Sequence, residues 1–589
     1  MDLSLLHPFW AIGLPIAGSI PLGWWMARVL DPPAGRIGKG VDAVPMGLLK
    51  LLGHREPAQM GWKQYAVAML AFNAALFAIS FILLLAQSHL PILNPDGKGS
   101  LSALGYKDMN GADQPGTDTA VIFNTVCSFV TNTNLQHYSG EQHLSYFSQL
   151  GAIVWLQFVT PACGLAVMLA VIRGLRGERT LGDFYLDTLR GLWLVLVPLS
   201  VLVAILLVAT GVPMTLHGAA QATTIERGAQ TIAVGPVAAE VAIKQLGTNG
   251  GGFFGPNSAH PFENPTPWSN LLEVISIIIV PMASIVMFGL MIKDRAHATV
   301  IYGVMLVMLL VGTIVAIVAE TQPSAAVAGL AVTKGSNLEG KEVRHGPVAS
   351  ATWAAITTAT SNGSVNAMHD SFQPLGGLVP MGLMMLNVDF SGIGSGFLNM
   401  LMYIVVAVFL AGLMVGRTPE YLGKKIEARE VKLAMIVVLI HPLVITCGTA
   451  LFAGNGWAKA TVANPGSHGF SEVLYEFTSA AANNGSGFEG LADNNPAWNI
   501  ATGCVLLLGR FPAIVLPIAI AGFLAEKKRA PQTSGTLLTN DFTFGAMLLG
   551  TVLLVGALSF MPAVVLGPVA DHLNAAAPVP LADLAKTPK

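Results

Sequence analysis

Ten apolar stretches constrain the fold of this chain more than any other feature. They lie near residues 9–27, 65–86, 150–172, 191–212, 271–292, 298–319, 376–416, 433–453, 497–525 and 542–567. Most are about 20 residues long, which is enough for a helix to cross a hydrocarbon core about 30 Å thick. No water reaches a peptide group there, so a spanning segment must satisfy its own backbone hydrogen bonds. The composition agrees. Of 589 residues, 53% are hydrophobic and 11% charged, against about 25% charged in ordinary soluble domains. The net charge of -2 gives no reason to expect a nucleic-acid partner. The expected class is an all-α polytopic protein of the lipid bilayer with about ten transmembrane helices.

The stretch 376–416 is too long for one straight crossing, since as helix it would run about 60 Å. The helix-breaking sequence Asn387-Val-Asp-Phe-Ser-Gly-Ile-Gly-Ser-Gly396 interrupts it. Charge decides how to count it. The connections at 28–64, 173–190, 293–297, 417–432 and 526–529 hold 20 of the 31 Lys and Arg residues. They are alternate loops if 376–416 makes one net crossing, and the positive-inside rule then places all five in the cytoplasm. Both termini are expected outside. The first ten residues carry no Lys or Arg, and the apolar segment after them is long enough to stay as a span, so no cleaved leader is expected.

The four intervening connections each carry a version of one motif: Thr131-Asn-Thr-Asn134, Thr248-Asn-Gly-Gly251, Ser361-Asn-Gly-Ser364 and Asn483-Asn-Gly-Ser486. Aligned on the shared Asn (Asn132, Asn249, Asn362, Asn484), they recur about 110 to 125 residues apart. One such motif is a turn. Four, each between two spans and each after a short helical segment (118–130, 236–246, 350–360, 471–482), read as four walls of an ion pore. The expected repeats run 61–180, 181–295, 296–430 and 431–530, with an N-terminal span and cytoplasmic loop in 1–60 and a C-terminal span and tail in 531–589. The outer connections 87–117, 213–234, 320–350 and 454–470 read as exposed loops, and the tail 570–589 as loose.

A short helix that ends at the motif turns the negative end of its dipole toward the pore centre, which favours a cation. Gly lets backbone carbonyls line up, and Thr, Ser and Asn add neutral oxygens. Such oxygens can replace the hydration shell of potassium. No ring of Asp or Glu accompanies the motifs, which argues against a calcium-type filter. The predicted potassium-binding residues are Thr131, Asn132, Thr133, Thr248, Asn249, Gly250, Ser361, Asn362, Gly363, Asn483, Asn484 and Gly485.

Other polar residues lie inside apolar segments. Arg510 is mid-span and must face protein or water. It is either a fixed positive charge below the filter or half of an ion pair with Glu273, Glu320 or Asp389. Asp389 either faces a water-filled cavity or caps a half-helix, and with Gly392, Gly394 and Gly396 as hinges its segment marks a candidate gate. His441 reads as a satisfied core histidine, and Cys127, Cys163, Cys447 and Cys504 as buried small residues rather than a disulfide or zinc set. The chain has no G-x-x-x-x-G-K-[ST] loop, no Asp-Lys-Thr-Gly motif and no H-E-x-x-H motif, so it has no evident means of using ATP by itself.

Longer runs carry a family resemblance. Phe123-Asn-Thr-Val-Cys-Ser-Phe-Val-Thr-Asn-Thr-Asn-Leu-Gln136 with His137-Tyr-Ser-Gly-Glu141, Leu246-Gly-Thr-Asn-Gly-Gly-Gly-Phe-Phe254 with Ser258-Ala-His-Pro-Phe-Glu-Asn-Pro265, Val365-Asn-Ala-Met-His-Asp-Ser-Phe372 and Gly416-Arg-Thr-Pro-Glu-Tyr-Leu-Gly-Lys-Lys425 resemble the KdpA family of potassium-transporting ATPase components over essentially the whole chain. The resemblance implies four helix–pore loop–helix units and a channel-like subunit that selects potassium, with no organic cofactor. It implies assembly with a P-type ATPase subunit (KdpB) that hydrolyses ATP, a single-span subunit (KdpC) and a very small subunit (KdpF) in the bacterial inner membrane. It places Gln136 and Gly250 at the filter, Arg510 beneath it, and Arg417 with the broken helix of the third unit. A stand-alone potassium channel or ion-coupled symporter is the alternative within the superfamily. A membrane scaffold or membrane-embedded enzyme is the alternative outside it.

Overall fold

The computed structural model describes residues 6–32, 36–51, 53, 56–108, 111–116, 119–324, 335–416, 418–531 and 537–575. Among these, nine helices are long and apolar enough to cross a membrane: Trp62–Leu85, Tyr146–Arg176, Phe184–Ala209, Pro267–Ile292, Arg295–Glu320, Ser395–Met414, Ala428–Gly454, Pro496–Glu526 and Phe542–Ala575. A tenth long helix, His7–Leu30, has 24 residues. It falls short of the others in hydropathy because three Trp, three Gly and three Pro interrupt its aliphatic residues.

Local chemistry fixes several helix starts. Thr266, Asp294, Asn495 and Asp541 each stand just before a long helix and accept from a backbone N–H of its first turn, at 3.1, 3.0, 3.1 and 2.8 Å. Each caps a donor that the helix itself cannot satisfy. Small residues set the closest packing. Helix His7–Leu30 lies along Pro267–Ile292, and a Cβ on Gly23 would stand 2.7 Å from the carbonyl oxygen of Ala283. Between helices in lipid such close approach supplies the packing that hydrophobicity cannot.

Four times the chain runs long helix, short helix, loop, long helix. The short helices are Ala120–Val130, Val237–Leu246, Gly346–Ala359 and Gly466–Ala482. The last two begin earlier than the apolar pattern predicts, so the connections before them are shorter than expected. Within the third connection Lys341 is buried against Glu320 at 2.8 Å. The helices differ sharply in burial. In its most apolar window Tyr146–Arg176 is 89% buried within the chain, and Phe542–Ala575 only 22%. The former is central and the latter peripheral.

The long third-repeat stretch breaks as expected. Pro374–Leu386 and Ser395–Val415 are separate helices, and Asn387, Phe390 and Gly394 between them have φ of 49°, 51° and 79°. The bond from His441 Nε2 to the Met384 carbonyl, 3.0 Å long, satisfies that half-buried histidine. The cysteines are free, but only Cys127 and Cys163 are buried. Cys447 and Cys504 lie on outward helix faces, contrary to expectation. The tail is helical through Ala575, and 576–589 lie outside the described residues.

Candidate functional site

Each short helix hands its chain to a motif by the same backbone device. Asn132, Thr248, Ser361 and Asn483 are left-handed, with φ of 60°, 48°, 48° and 54°. The following N–H turns back to the carbonyl five residues earlier: Thr133 to Ser128 at 2.8 Å, Asn249 to Lys244 at 3.0 Å, Asn362 to Thr357 at 2.8 Å and Asn484 to Ser479 at 2.9 Å. This closure ends a helix while satisfying one of its last carbonyls. It also corrects the alignment of the repeats. In the first, Thr133 rather than Asn132 stands where the others have Asn249, Asn362 and Asn484. Asn134 then stands where they have Gly250, Gly363 and Gly485. The doubled Thr-Asn of the first motif conceals the shift.

The three equivalent asparagines act as staples. Their Oδ1 atoms accept from the N–H groups of Gly251, Ser364 and Ser486 at 3.1, 2.9 and 2.9 Å. Their Nδ2 groups donate to the preceding repeat: Asn249 to the Thr133 carbonyl at 3.2 Å, Asn362 to that of Lys244 at 3.0 Å and Asn484 to that of Thr357 at 3.0 Å. The Asn134 N–H donates to the Asn484 carbonyl at 3.4 Å and joins the fourth repeat to the first. The four loops therefore form a closed ring in chain order.

The glycines sit where these loops press together. A Cβ on Gly250 would lie 2.1 Å from the Asn362 carbonyl oxygen, and one on Gly363 would lie 2.0 Å from that of Asn484. All twelve predicted binding residues are therefore in or beside this ring, and none carries a carboxylate. Among the described residues the carbonyls of Asn132, Ser361 and Asn483, at equivalent positions, accept no hydrogen bond. They remain as neutral oxygens able to face a dehydrated cation.

On one side of the ring, Gln136 bridges the first two repeats. Its Oε1 accepts from the Gly252 N–H at 2.9 Å, and its Nε2 donates to the Gly252 carbonyl at 3.2 Å. Asn134, Gly363, Gly485, His137, Glu476 and Asp493 line a vestibule there of about 400 Å³.

The broken third-repeat segment touches the ring's other side. Ile393 N–H donates to Thr248 Oγ1 at 3.0 Å, and Ser361 Oγ donates to Asn387 Oδ1 at 3.1 Å. Gly394 packs on the Gly164 backbone, where a Cβ would lie 2.2 Å from its carbonyl oxygen. Asp389 is fully buried, and neither carboxylate oxygen has a hydrogen bond. Arg510 donates to Ser395 Oγ at 3.0 Å, just past the break, and its guanidinium lies 3.9 Å from where a Cβ on Gly392 would stand. Among the described residues Arg510 has no ion pair. Glu320 pairs with Lys341 instead, Glu273 is bonded by Gln245 and Ser258, and Asp389 stands alone. Arg417 lies outside the described residues.

The family model for the potassium-transporting ATPase A subunit, KdpA, matches residues 10–573. This chain belongs to that family. Its relatives include proteins named potassium-transporting ATPase potassium-binding subunit. That of Geobacillus kaustophilus is 46% identical over 564 residues, covering 95% of this chain and 97% of the relative. That of Pseudomonas aeruginosa is 46% identical over 576 residues, covering 97% and 99%. That of Anaeromyxobacter dehalogenans is 47% identical over 585 residues, covering 96% and 97%. Among solved structures, the potassium transporter TrkH from Vibrio parahaemolyticus aligns with a TM-score of 0.48 and 14% identity, covering 88% of this chain and 98% of that one.

Two features of the ring in this KdpA family member are not evident from sequence. One is Asn134, whose Nδ2 lies 3.0 Å from where a Cβ on Gly363 would stand, in the third repeat. The other is a buried brace behind the second loop. Lys244 Nζ pairs with Glu263 and donates to Asn257 Oδ1 at 2.8 Å. Asn257 Nδ2 in turn donates to the Gly250 carbonyl at 2.8 Å, and Glu263 accepts from the Phe254 N–H at 2.9 Å. The run from Ser258 to Pro265 stands out as a motif without showing what it does. The one signal of its role is a Lys at the end of a short apolar helix, whose charge needs a partner.

Proposed function

We propose that this chain is the potassium-binding subunit of an ATP-driven potassium uptake pump. Potassium from outside is held in the ring formed by Thr131, Asn132, Thr133, Thr248, Asn249, Gly250, Ser361, Asn362, Gly363, Asn483, Asn484 and Gly485, with Gln136 fixing its outer edge. The observation that carries this is the closed cycle of four neutral loops, each delivered by the C-terminal end of a short helix. Helix ends of that polarity favour a cation, and neutral oxygens favour a weakly hydrated monovalent one. The four repeats are the units 61–180, 181–295, 296–430 and 431–530, flanked by 1–60 and 531–589.

The segment with Asp389, Gly392 and Gly394, together with Arg417, forms a gate below the ring. Arg510 supplies an uncompensated positive charge there, which suits a pump better than an open channel. ATP hydrolysis is the work of a P-type ATPase subunit, KdpB, with KdpC and KdpF completing the complex. The setting is the bacterial inner membrane with both termini extracytoplasmic.

The test is the purified complex with rubidium as a heavy stand-in for potassium. Anomalous or cryo-EM density ringed by the four loops, displaced by excess potassium, is the expected result. Saturable potassium binding with no density in the ring would overturn the assignment.

A further inference from the structure

Two clusters outside the ring join a histidine to carboxylates, and their geometry separates them. At His468 both ring nitrogens are at hydrogen-bond distance from a carboxylate, Nδ1 to Asp571 at 2.8 Å and Nε2 to Asp370 at 3.0 Å. That cluster is a filled ion pair.

His137 differs. Its Nδ1 lies 2.7 Å from Asn499 Oδ1. The Asn499 amide is oriented by its own Nδ2, which donates to Asn494 Oδ1 at 3.1 Å. Nδ1 therefore carries the hydrogen, and Nε2 is left facing Glu476 Oε1 at 3.4 Å and Asp493 Oδ2 at 3.6 Å. Neither Nε2 nor Glu476 Oε1 makes a hydrogen bond, although both side chains are only 1% exposed.

The three donor atoms lie within 4.8 Å of one another. Around tetrahedral zinc, with bonds of about 2.0–2.1 Å, donor atoms stand about 3.3–3.5 Å apart. Nε2 thus stands near enough to both carboxylates to pair by charge but forms no hydrogen bond with either, and its two separations match those of donor atoms around a shared central ion. We propose that His137, Glu476 and Asp493 form a binding site for a divalent transition cation of the zinc(II) type in the outer vestibule.

The donor set supports this class of ion. One imidazole and two carboxylates suit zinc, whereas calcium and magnesium prefer oxygen alone. The two carboxylates balance the metal charge. The Asn499 acceptor plays the orienting role that a metal-bound histidine commonly has on its far nitrogen. Asp493 is 27% exposed and opens onto the vestibule, so the fourth position is free for water and the ion has a route in. When the metal binds, any second proton on His137 leaves to solvent and the Nε2 lone pair takes the metal. No electron is transferred. His137 directly follows Gln136, the bridge between the first two loops, so an ion there sits over the ring's mouth. Its consequence for transport, slower potassium uptake in external zinc, rests on the function proposed above. The binding itself does not.

The complete purified complex is titrated with cobalt(II) chloride, followed by its visible spectrum, and with zinc chloride by calorimetry. One equivalent is expected to bind, with the absorption of tetrahedral nitrogen and oxygen coordination. Asp493→Asn and His137→Gln should each weaken metal affinity about 10- to 100-fold, and Asp493→Asn should relieve zinc inhibition of uptake. Absence of saturable binding to the wild type would overturn the site, as would unchanged affinity in Asp493→Asn with the complex intact. Should the wild type bind metal but no potassium, the proposed function fails while this site stands.

Discussion

Replacing Gly250 by alanine should weaken potassium binding at least about tenfold. The backbone there has φ +83°, and the new Cβ would lie 2.1 Å from the Asn362 carbonyl oxygen and 2.5 Å from the Ser364 nitrogen, where ordinary contact begins at 3.4 Å. Two costs follow. Left-handed backbone costs a residue with a Cβ about 1–2 kcal/mol. The overlap cannot be relieved by rotating a side chain, because the obstructing atoms are backbone. The third loop must therefore move outward by more than about 1 Å, which carries its oxygens away from any ion they held. If the ion-bound ring bears only the first cost, the loss is about 5- to 30-fold, and displacement adds to it. The assay is potassium or rubidium affinity of the purified complex by calorimetry, with Gly303→Ala as control, since nothing lies within 4 Å of a Cβ there. Affinity within about twofold of wild type in an intact Gly250→Ala complex would refute the idea that this glycine is required by loop contact.

Arg510→Met should leave the complex assembled but raise ATP-independent rubidium flux in proteoliposomes by about tenfold or more, because a buried charge strongly disfavours a cation beside it; unchanged flux would count against a barrier. Lys244→Met should strip the partner from buried Glu263 and cost about 3–5 kcal/mol, read as a lower melting temperature, with Lys244→Met/Glu263→Gln recovering much of it. Asn134→Gly, which gives the ring its fourth glycine, should reduce discrimination of potassium over rubidium, and identical competition curves would show that the Asn134 amide plays no role in selection. The His468 clasp should be pH-dependent. Burial lowers the histidine, but Asp370 and Asp571 outweigh this and raise it from 6.5 to about 10. The stabilisation is then fully present below pH 6.5 and lost as pH rises through about 10, so hydrogen-exchange protection of 570–575 should fall over that window. Protection that stays level would exclude the clasp.

The helices, the half-helices and the break at 387–394 were legible because length, breakers and charge parity are local signals. Which helix face meets lipid was not. Cys447 and Cys504 sit in apolar segments like Cys163, but lipid is as apolar as a protein core, so hydropathy cannot tell the two environments apart. The start of the third short helix is hard to see because Gly346 and Pro347 read as loop residues, although Pro is at home in a first helical turn. The register of the first motif is hidden for a different reason. Asn132 and Asn134 both match the pattern, and only hydrogen bonds to Ser128 and Asn484 decide between them. The brace from Lys244 through Asn257 and Glu263 depends on a fold-back that no periodicity announces.

The unlike first loop has an evolutionary consequence. A pore assembled from four copies of one short chain inherits every substitution fourfold, so a change that suits one wall is imposed on all. Here the walls are written separately. Thr133 and Asn134 have departed from the pattern that the other three loops keep, and the ring still closes. Such a chain can adjust its cation site one quarter at a time.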